Sequence, residues 1–194
     1  LIQVEEPVKE EGSKWLEIIL KGITDKNCLQ VLYHGFGRPE KEHLFSPYLL
    51  KEYRNRWYTV GYSATGKNIL ILALDRINEI KQSKEKYIID SEFTPASFFK
   101  YSFGITQVHA AKAEKVELLF TPQQAPYIES QPLHHSQQPL SNDEKGLHIR
   151  MKVYITRELI MSILSYGAEV KVLAPKKLII EISKHIVEMG KIYI

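Results

Sequence analysis

The chain begins with a polar stretch and then shows one apolar pattern at helical spacing. Residues 1–13 are polar and rich in Glu and Lys, which is typical of a linker. The apolar residues that follow at helical spacing are Trp15, Leu16, Ile18, Ile19 and Ile23. We expect Ser13 to cap this helix and the polar cluster 25–27 to end it.

Short strand-like runs follow the helix, with Gly and Pro between them. They cover residues 28–33, 43–46, 56–62 and 70–74, and the segment 77–89 provides one or two more. Pro47 is expected to end the second run, and Leu44, Tyr58 and Val60 are expected to point inward. Short strands at this regular spacing favour a small β-barrel.

A Phe-rich segment, 93–105, interrupted by Pro95, predicts a junction between two domains. Beyond it, strands are expected at 115–120, 135–140, 147–155 and 170–173, with a hairpin turn at 142–146. Helices are expected to start at Thr121-Pro122, after a Thr156 cap, and at Pro175.

The second of these helices is expected to end at Gly167. The third should bury Leu178, Ile182, Ile186 and Met189 along one face. The order β-α-β-β-α-β-α favours a ferredoxin-like α/β sandwich. The predicted fold class is therefore α+β, with a small barrel followed by this sandwich.

Composition places few limits on function. The 194 residues are 44% hydrophobic and 25% charged, as in ordinary globular proteins, and the net charge of +3 permits a nucleic-acid partner without requiring one. A single cysteine, Cys28, excludes an intrachain disulfide and fits a reducing cytoplasm. No apolar run reaches the ~20 residues of a membrane-spanning helix. The chain starts at Leu1 rather than Met, so we expect a preceding segment in the full protein.

Catalytic and metal-binding patterns are not found in the sequence. Cys28 lacks a CxxC partner, and P-loop, GxGxxG and GxSxG motifs do not occur. His134 and His135 are adjacent, so on a strand they would face opposite sides. We therefore expect neither an enzyme nor a bound metal or cofactor.

Basic and aromatic residues instead concentrate in the strand region of the first domain. Those with a candidate binding role are Tyr33, Arg38, His43, Arg56, Tyr58 and Arg76. Guanidinium groups pair with phosphates and aromatic rings stack on bases, so the set suits an anionic ligand with flat rings. Two readings of Arg76 stay open: it binds the ligand at the barrel rim, or it pairs with Asp75 or a nearby Glu and only stabilises the barrel. Trp57 is expected to pack rather than bind.

Three motifs of the first half resemble the WYL domain of bacterial transcription factors. They are SPYLL at 46–50, RWYTVGY at 56–62 and LALDRI at 72–77. Thr59 stands where the family motif has Leu, which removes apolar volume at that position. Two later segments, VELLFTPQQAPYIESQPLHHSQ at 116–137 and ILSYGAEVKVLAP at 163–175, resemble the WCX domain that often follows it.

The resemblance implies a WYL domain over 14–105 with an Sm-like barrel and a WCX-like domain over 106–194. It implies that Tyr33, His43, Arg56, Tyr58 and Arg76, which match positions of the family motif, sense a nucleic-acid or nucleotide-like effector. Arg38 is a candidate ligand from its residue type and its place in the strand region alone. It further implies that DNA contacts come from a helix-turn-helix domain preceding this chain. We expect a cytoplasmic homodimer, because symmetric dimers are the commonest oligomers. The alternative is a protein–protein adaptor without a small ligand, in which Trp57 and Phe98-Phe99 anchor partners.

Overall fold

The computed structural model describes residues 12–108 and 111–193. It forms two compact units, divided between Pro95 and Ala96, and each is described separately. The short helix α2 (Pro95–Phe99) lies at this division. Within the described ranges, none of the helices combines the length and apolar character that a membrane crossing requires.

The first unit is built on one antiparallel sheet. Its elements are helix α1 (Leu16–Thr24) and strands β1 (Leu29–Tyr33), β2 (Lys41–Glu52), β3 (Trp57–Ser63), β4 (Asn68–Ala73) and β5 (Ile77–Gln82). The strand order is β4-β3-β2-β1-β5, so β4 and β5 form the two edges. Sequence analysis predicted these five strands but also a closed barrel, whereas the described sheet is open because its edge strands do not pair with each other.

Helix α1 contributes to the core of this unit. Its Ile19 is buried together with Leu29, Val31, Phe45 and Leu72 from the sheet. The indole Nε1 of the preceding Trp15 donates a hydrogen bond to the Ile77 carbonyl at 3.0 Å. Ser13 is not the cap that we expected, because a 3-10 turn (Ser13–Trp15) precedes the helix and Trp15 occupies its N-cap position.

Strand β2 differs from the sequence prediction because it continues through Pro47. Pro47 lies opposite Gly61, and the pairing with β3 shifts register between Pro47 and Leu49. A bulge of this kind accommodates a residue that cannot donate to the ladder. Three residues of this region were predicted to point inward. Val60 is fully buried as predicted, whereas Leu44 and Tyr58 are partly exposed.

The second unit is also an antiparallel sheet, with helices on one side. Its strands are β6 (Glu114–Phe120), β7 (Gln138–Asp143), β8 (Gly146–Val153) and β9 (Val170–Ala174), and its helices are α3 (Ala125–Ser130), α4 (Arg157–Ser165) and α5 (Lys176–Tyr193). The strand order is β7-β8-β6-β9. One face of β6 and β8 is buried against all three helices in a single core. The other face carries polar side chains.

Several local predictions for this unit are confirmed. The Thr156 hydroxyl caps α4 by accepting a hydrogen bond from the Leu159 amide at 3.3 Å. Gly167 follows that helix with φ of 57°. The β7–β8 hairpin closes at Gly146, whose φ is 115° and where an added Cβ would lie 1.9 Å from the Phe120 carbonyl oxygen.

Two helix predictions for this unit were wrong in detail. Helix α3 begins at Ala125 with Pro126 in its first turn, not at Thr121-Pro122, because residues 122–124 form a turn first. In α5, Leu178 is buried as expected, but Ile186 and Met189 are 57% and 46% exposed. The apolar face of α5 therefore extends beyond the part that its own unit covers.

Candidate functional site

The first unit contains a cavity of ≈ 680 Å³ that brings together four of the six predicted binding residues. These four are Tyr33 at the end of β1, Arg38 in the β1–β2 loop, His43 on β2 and Arg76 in a 3-10 turn. The turn (Leu74–Arg76) joins edge strand β4 to β5, and β5 pairs with β1. The fold thus brings side chains that are up to 43 positions apart in sequence (Tyr33 to Arg76) around one opening.

Among the described residues, Arg76 contacts an aromatic ring and forms no ion pair with an acid. Its guanidinium carbon lies 3.7 Å from the centroid of the Phe36 ring. Its Nε is buried and has no hydrogen-bond partner within the described ranges. A buried donor without an acceptor is costly, so this geometry favours an anion that would satisfy it.

Asp75 does not neutralise Arg76, because it is already paired with Arg56. The Arg56 Nε donates to Asp75 Oδ2 at 3.0 Å, and one of its terminal nitrogens donates to the same oxygen. The hydrogen bond with Asp75 raises the pKa of Arg56 despite partial burial. The alternative in which Arg76 pairs with Asp75 is therefore not what the structure shows.

Tyr33 and His43 are fixed by neighbouring polar groups. The Ala73 amide donates to the Tyr33 hydroxyl at 3.4 Å. The His43 Nδ1 lies 3.0 Å from the Ser63 hydroxyl oxygen. Burial, together with the charge of Lys41, lowers the pKa of His43, so the ring is neutral near pH 7 and acts as a hydrogen-bonding group.

Arg56 and Tyr58 do not line the cavity. The Arg56 side chain is 34% exposed and forms an ion pair with Asp75. Tyr58 is partly buried and lies opposite Ala73 on β4 and Lys51 on β2. Trp57, expected to pack, is 38% exposed at the start of β3. The structure therefore separates the predicted set into a cavity group of four and an outer pair.

Thr59, the residue that departs from the family motif, is buried in the sheet. Its hydroxyl donates to the Leu49 carbonyl at 3.3 Å, so the polar group that replaces apolar volume is satisfied. This bond links β3 to β2 beside the register shift between Pro47 and Leu49.

Sequence reasoning missed Phe36, Lys41 and Asn68, which also line the cavity. The signal for Phe36 was a single aromatic residue between two glycines, Gly35 and Gly37. Such a loop exposes its aromatic ring. Phe36 is exposed, and the guanidinium of Arg76 lies over its ring. The lining carries three cationic side chains, Arg38, Lys41 and Arg76, against one carboxylate, Glu40, which bonds with the Asn78 side chain.

The paired histidines of the second unit behave differently from the prediction. His134 and His135 lie in a turn rather than on a strand, and their ring centroids are 4.0 Å apart. Burial lowers the pKa of His134 to about 4, with His135 contributing. Across residues 12–108 and 111–193, no group of three or more potential ligands is placed to hold a metal ion.

Comparison with protein families gives two matches. Residues 14–82 match the model of the WYL domain, and residues 112–189 match the model of the WCX domain. No curated protein matches the chain.

Several solved structures resemble the chain, and two of them illustrate the range of likeness. Proteasome accessory factor B/C (PafBC) of Arthrobacter aurescens shares 19% identity with a TM-score of 0.40, over 92% of this chain and 27% of that chain. A structure titled as a CRISPR Cas-related protein shares 12% identity with a TM-score of 0.55, over 91% of this chain and 50% of that one. This chain spans about a quarter and half of their respective lengths, and at 12% identity the second likeness shows a common fold alone.

Proposed function

The chain belongs to the family of proteins that carry a WYL domain followed by a WCX domain, and we propose that it is the effector-sensing and dimerising part of a bacterial transcriptional regulator. In this proposal the first unit binds a nucleic-acid or nucleotide-like anion, and the role is not enzymatic. The full protein would contact DNA through a helix-turn-helix domain that precedes this chain and would act in the cytoplasm. The nucleotide sequence upstream of the codon for Leu1 tests that part directly.

The observation that carries the proposal is Arg76. Its Nε is buried and has no acceptor among the described residues, and its guanidinium carbon lies over the Phe36 ring. The adjacent carboxylate of Asp75 is bound to Arg56. A phosphate oxygen would satisfy the Nε, and the exposed Phe36 ring offers a surface for a base. The cavity volume of ≈ 680 Å³ falls within the range of small-ligand sites.

The predicted site and domain limits belong to the same proposal. Tyr33, Arg38, His43 and Arg76 are proposed as direct ligands, whereas Arg56 and Tyr58 are proposed to act from outside the cavity. The domain limits 14–105 and 106–194, the Sm-like class of the first sheet and the ferredoxin-like class of the second remain predictions. The observed order β7-β8-β6-β9, with β8 between β6 and β7, supports the second class.

Binding measurements on the purified chain test the site. Short single-stranded DNA, RNA oligomers and cyclic dinucleotides are titrated calorimetrically into the wild-type chain and into Arg76→Gln. We expect Arg76→Gln to weaken binding at least tenfold, since a charge-assisted hydrogen bond of about 1.5–3 kcal/mol is lost. Arg54→Gln is the matched control, because Arg54 is an exposed turn residue outside the cavity lining. Equal affinities of wild type and Arg76→Gln would reject this site.

Dimerisation is proposed to use the uncovered apolar side of α5. Ile186 and Met189, together with Ile163 and Leu164 of α4, line a groove of ≈ 310 Å³. A second copy of the same helix is the proposed occupant, because self-complementary pairing about a two-fold axis is the commonest way in which such a surface is buried. Light scattering should give twice the chain mass for the wild type and the chain mass for Ile186→Glu.

A protein–protein adaptor is the second candidate, and the exposure of Trp57 favours it. The salt dependence of oligonucleotide binding separates the two functions. A phosphate-binding site loses affinity steeply as salt rises, whereas an adaptor shows a flat response or no oligonucleotide binding.

A further inference from the structure

The helix-free face of the second sheet carries an unusual cross-strand pair. Lys115 of β6 and Lys152 of β8 lie directly opposite each other, and both are exposed. Opposite residues on one face have Cβ atoms about 4.5–5.5 Å apart, and like charges in that position are destabilising. An anion bound between the two ammonium groups would relieve the repulsion of this like-charge pair.

The carboxylates near this pair are already neutralised by other cations. Glu114 is bound by Lys177, and Glu117 accepts from Arg150 at 2.7 Å and from His148 at 3.1 Å. The neighbouring ammonium groups, however, form no ion pair with any residue in the described ranges; these are Lys100, Lys112, Lys115 and Lys152. The local charge is therefore strongly positive although the whole chain has a net charge of only +3.

Two tyrosines stand beside the lysines. The rings of Tyr101 and Tyr154 meet edge to face with centroids 5.9 Å apart, and the Tyr154 amide donates to the Tyr101 carbonyl at 2.8 Å. The ammonium groups of Lys152 and Lys100 lie 4.9 and 5.4 Å from the Tyr101 ring centroid. Desolvation opposes ionisation of Tyr101, but the charges and hydrogen bonds of Lys100 and Lys152 together outweigh it and lower the pKa of its hydroxyl.

These side chains border a shallow concavity of ≈ 580 Å³. Its walls include Tyr101, Lys112, Lys115, Lys152, Tyr154 and Pro175, which together we call the lysine–tyrosine surface. Glu114 also lines the concavity, and its carboxylate is paired with Lys177. We propose that the lysine–tyrosine surface is a second binding site, on the second unit, for single-stranded nucleic acid. The lysines contact backbone phosphates, and the tyrosines stack on the bases.

Single strands fit this surface better than the other polyanions. A sheet face with aromatic rings presents flat apolar groups to which unpaired bases can stack, and a duplex keeps its bases inside. A small anion such as phosphate would use the lysines but leave the tyrosine pair without a role. The site uses none of the residues of the Arg76 cavity, so it stands whether or not that cavity binds a ligand.

Anisotropy of a short labelled oligothymidylate tests the inference on the full chain. All measurements are made in the wild type and again in the Arg76→Gln background, where the cavity of the first unit is disabled. In both backgrounds we expect Lys115→Gln/Lys152→Gln to reduce affinity at least tenfold at low salt. The slope of log affinity against log salt should fall by about 1.4, because two phosphate contacts on a single strand are lost.

Further variants separate the roles of the side chains. Tyr154→Leu should reduce affinity about tenfold, because one stacked base is lost, and should leave the salt slope unchanged. Lys115→Arg/Lys152→Arg should keep the salt slope of the wild type. Lys145→Gln is the matched control, since Lys145 lies in the hairpin turn before β8, about 23 Å along that strand from Lys152.

These binding measurements distinguish a failure of the second site from a failure of the proposed cavity site in the first unit. If the double lysine variant binds and responds to salt as Lys145→Gln does, the second site is rejected even when Arg76→Gln weakens binding. If Arg76→Gln is without effect but the double variant loses affinity, the cavity proposal fails and the second site stands. Equal or tighter binding of a duplex of the same length, lost in the same variants, would overturn the assignment to single strands.

Discussion

At the scale of single residues, the position of Asp75 decides what two arginines do. Asp75 bonds to Arg56, the residue immediately before strand β3, rather than to its sequence neighbour Arg76. Its second oxygen, Oδ1, is buried with no partner in the described ranges. Arg56 is therefore held in an ion pair, whereas the Nε of Arg76 has no acceptor among the described residues and is available to a ligand.

This division of roles gives a stability prediction for Arg56→Ala. Removing the guanidinium leaves the Asp75 carboxylate, only 17% exposed, without its counter-ion. The free energy of unfolding should fall by about 1–3 kcal/mol, as measured by urea denaturation. The double variant Arg56→Ala/Asp75→Asn should recover part of that loss. A loss in the double variant equal to the sum of the losses in Arg56→Ala and Asp75→Asn would show that the two residues act independently.

His134 predicts how stability depends on pH. Burial lowers its pKa to about 4 from the usual 6.5, so the unfolded chain binds more protons between these values. Its contribution is therefore complete above about pH 6.5 and is lost as the pH falls towards 4. The loss at pH 4 should reach about 1–3 kcal/mol in urea denaturation.

The matched control for this prediction is the adjacent histidine. His134→Gln should flatten the fall in unfolding free energy between pH 6.5 and pH 4. His135→Gln, at an exposed position, should retain most of the fall, because burial is the larger cause of the lowered His134 pKa. An identical pH profile in wild type and His134→Gln would contradict the assignment.

At the scale of elements, the β2–β3 pair shows how proline and glycine combine. Pro47 lies opposite Gly61, where the two strands approach closely. A Cβ added to Gly61 would lie 2.3 Å from the Ser46 carbonyl oxygen and 2.8 Å from the Pro47 Cα. The glycine of the RWYTVGY motif is therefore required by the backbone of the neighbouring strand.

Two glycine substitutions should consequently have opposite effects. Gly61→Ala should lower the free energy of unfolding by about 1–3 kcal/mol, because backbone atoms must move. Gly190→Ala, in α5, meets nothing within 4 Å and should raise it by about 0.5–1 kcal/mol through helix propensity. Both are read from urea denaturation curves. If Gly61→Ala left the free energy of unfolding unchanged, the two strands would be able to separate at this point without cost.

At the scale of the whole molecule, each unit has its own buried core. Phe45 and Leu74 are at the centre of the first, and Leu118 and Leu159 are at the centre of the second. Both tryptophans, Trp15 and Trp57, belong to the first unit, so indole fluorescence reports on that unit alone.

Separate cores predict separate unfolding. Leu118→Ala should destabilise the second unit by about 2–5 kcal/mol, because a fully buried side chain is replaced by a cavity. Circular dichroism should then show an early transition, while the midpoint of tryptophan fluorescence stays where it is in the wild type. Leu74→Ala is the reciprocal variant and should shift the fluorescence midpoint. A common shift by both probes in both variants would indicate one cooperative unit.

Local patterns in the sequence were sufficient for most elements. Helical spacing, the Thr156 cap, and the glycines after α4 and in the β7–β8 hairpin each act through neighbours in the chain, and their predictions are confirmed. The exceptions depended on distant partners. Pro47 remains within a strand because β3 offers a glycine opposite it, and Ile186 is exposed because α5 is longer than the surface that covers it.

The sequence by itself determined the α+β class, the two units and a set of basic and aromatic residues in the first of them. Only the tertiary structure decided which of these face one cavity. Pairing between strands placed Tyr33, Arg38, His43 and Arg76 together, whereas the ion pair with Asp75 removed Arg56 from the group. The reason is physical: side-chain type and spacing act locally, but the partner of a charge is chosen by through-space distance and burial.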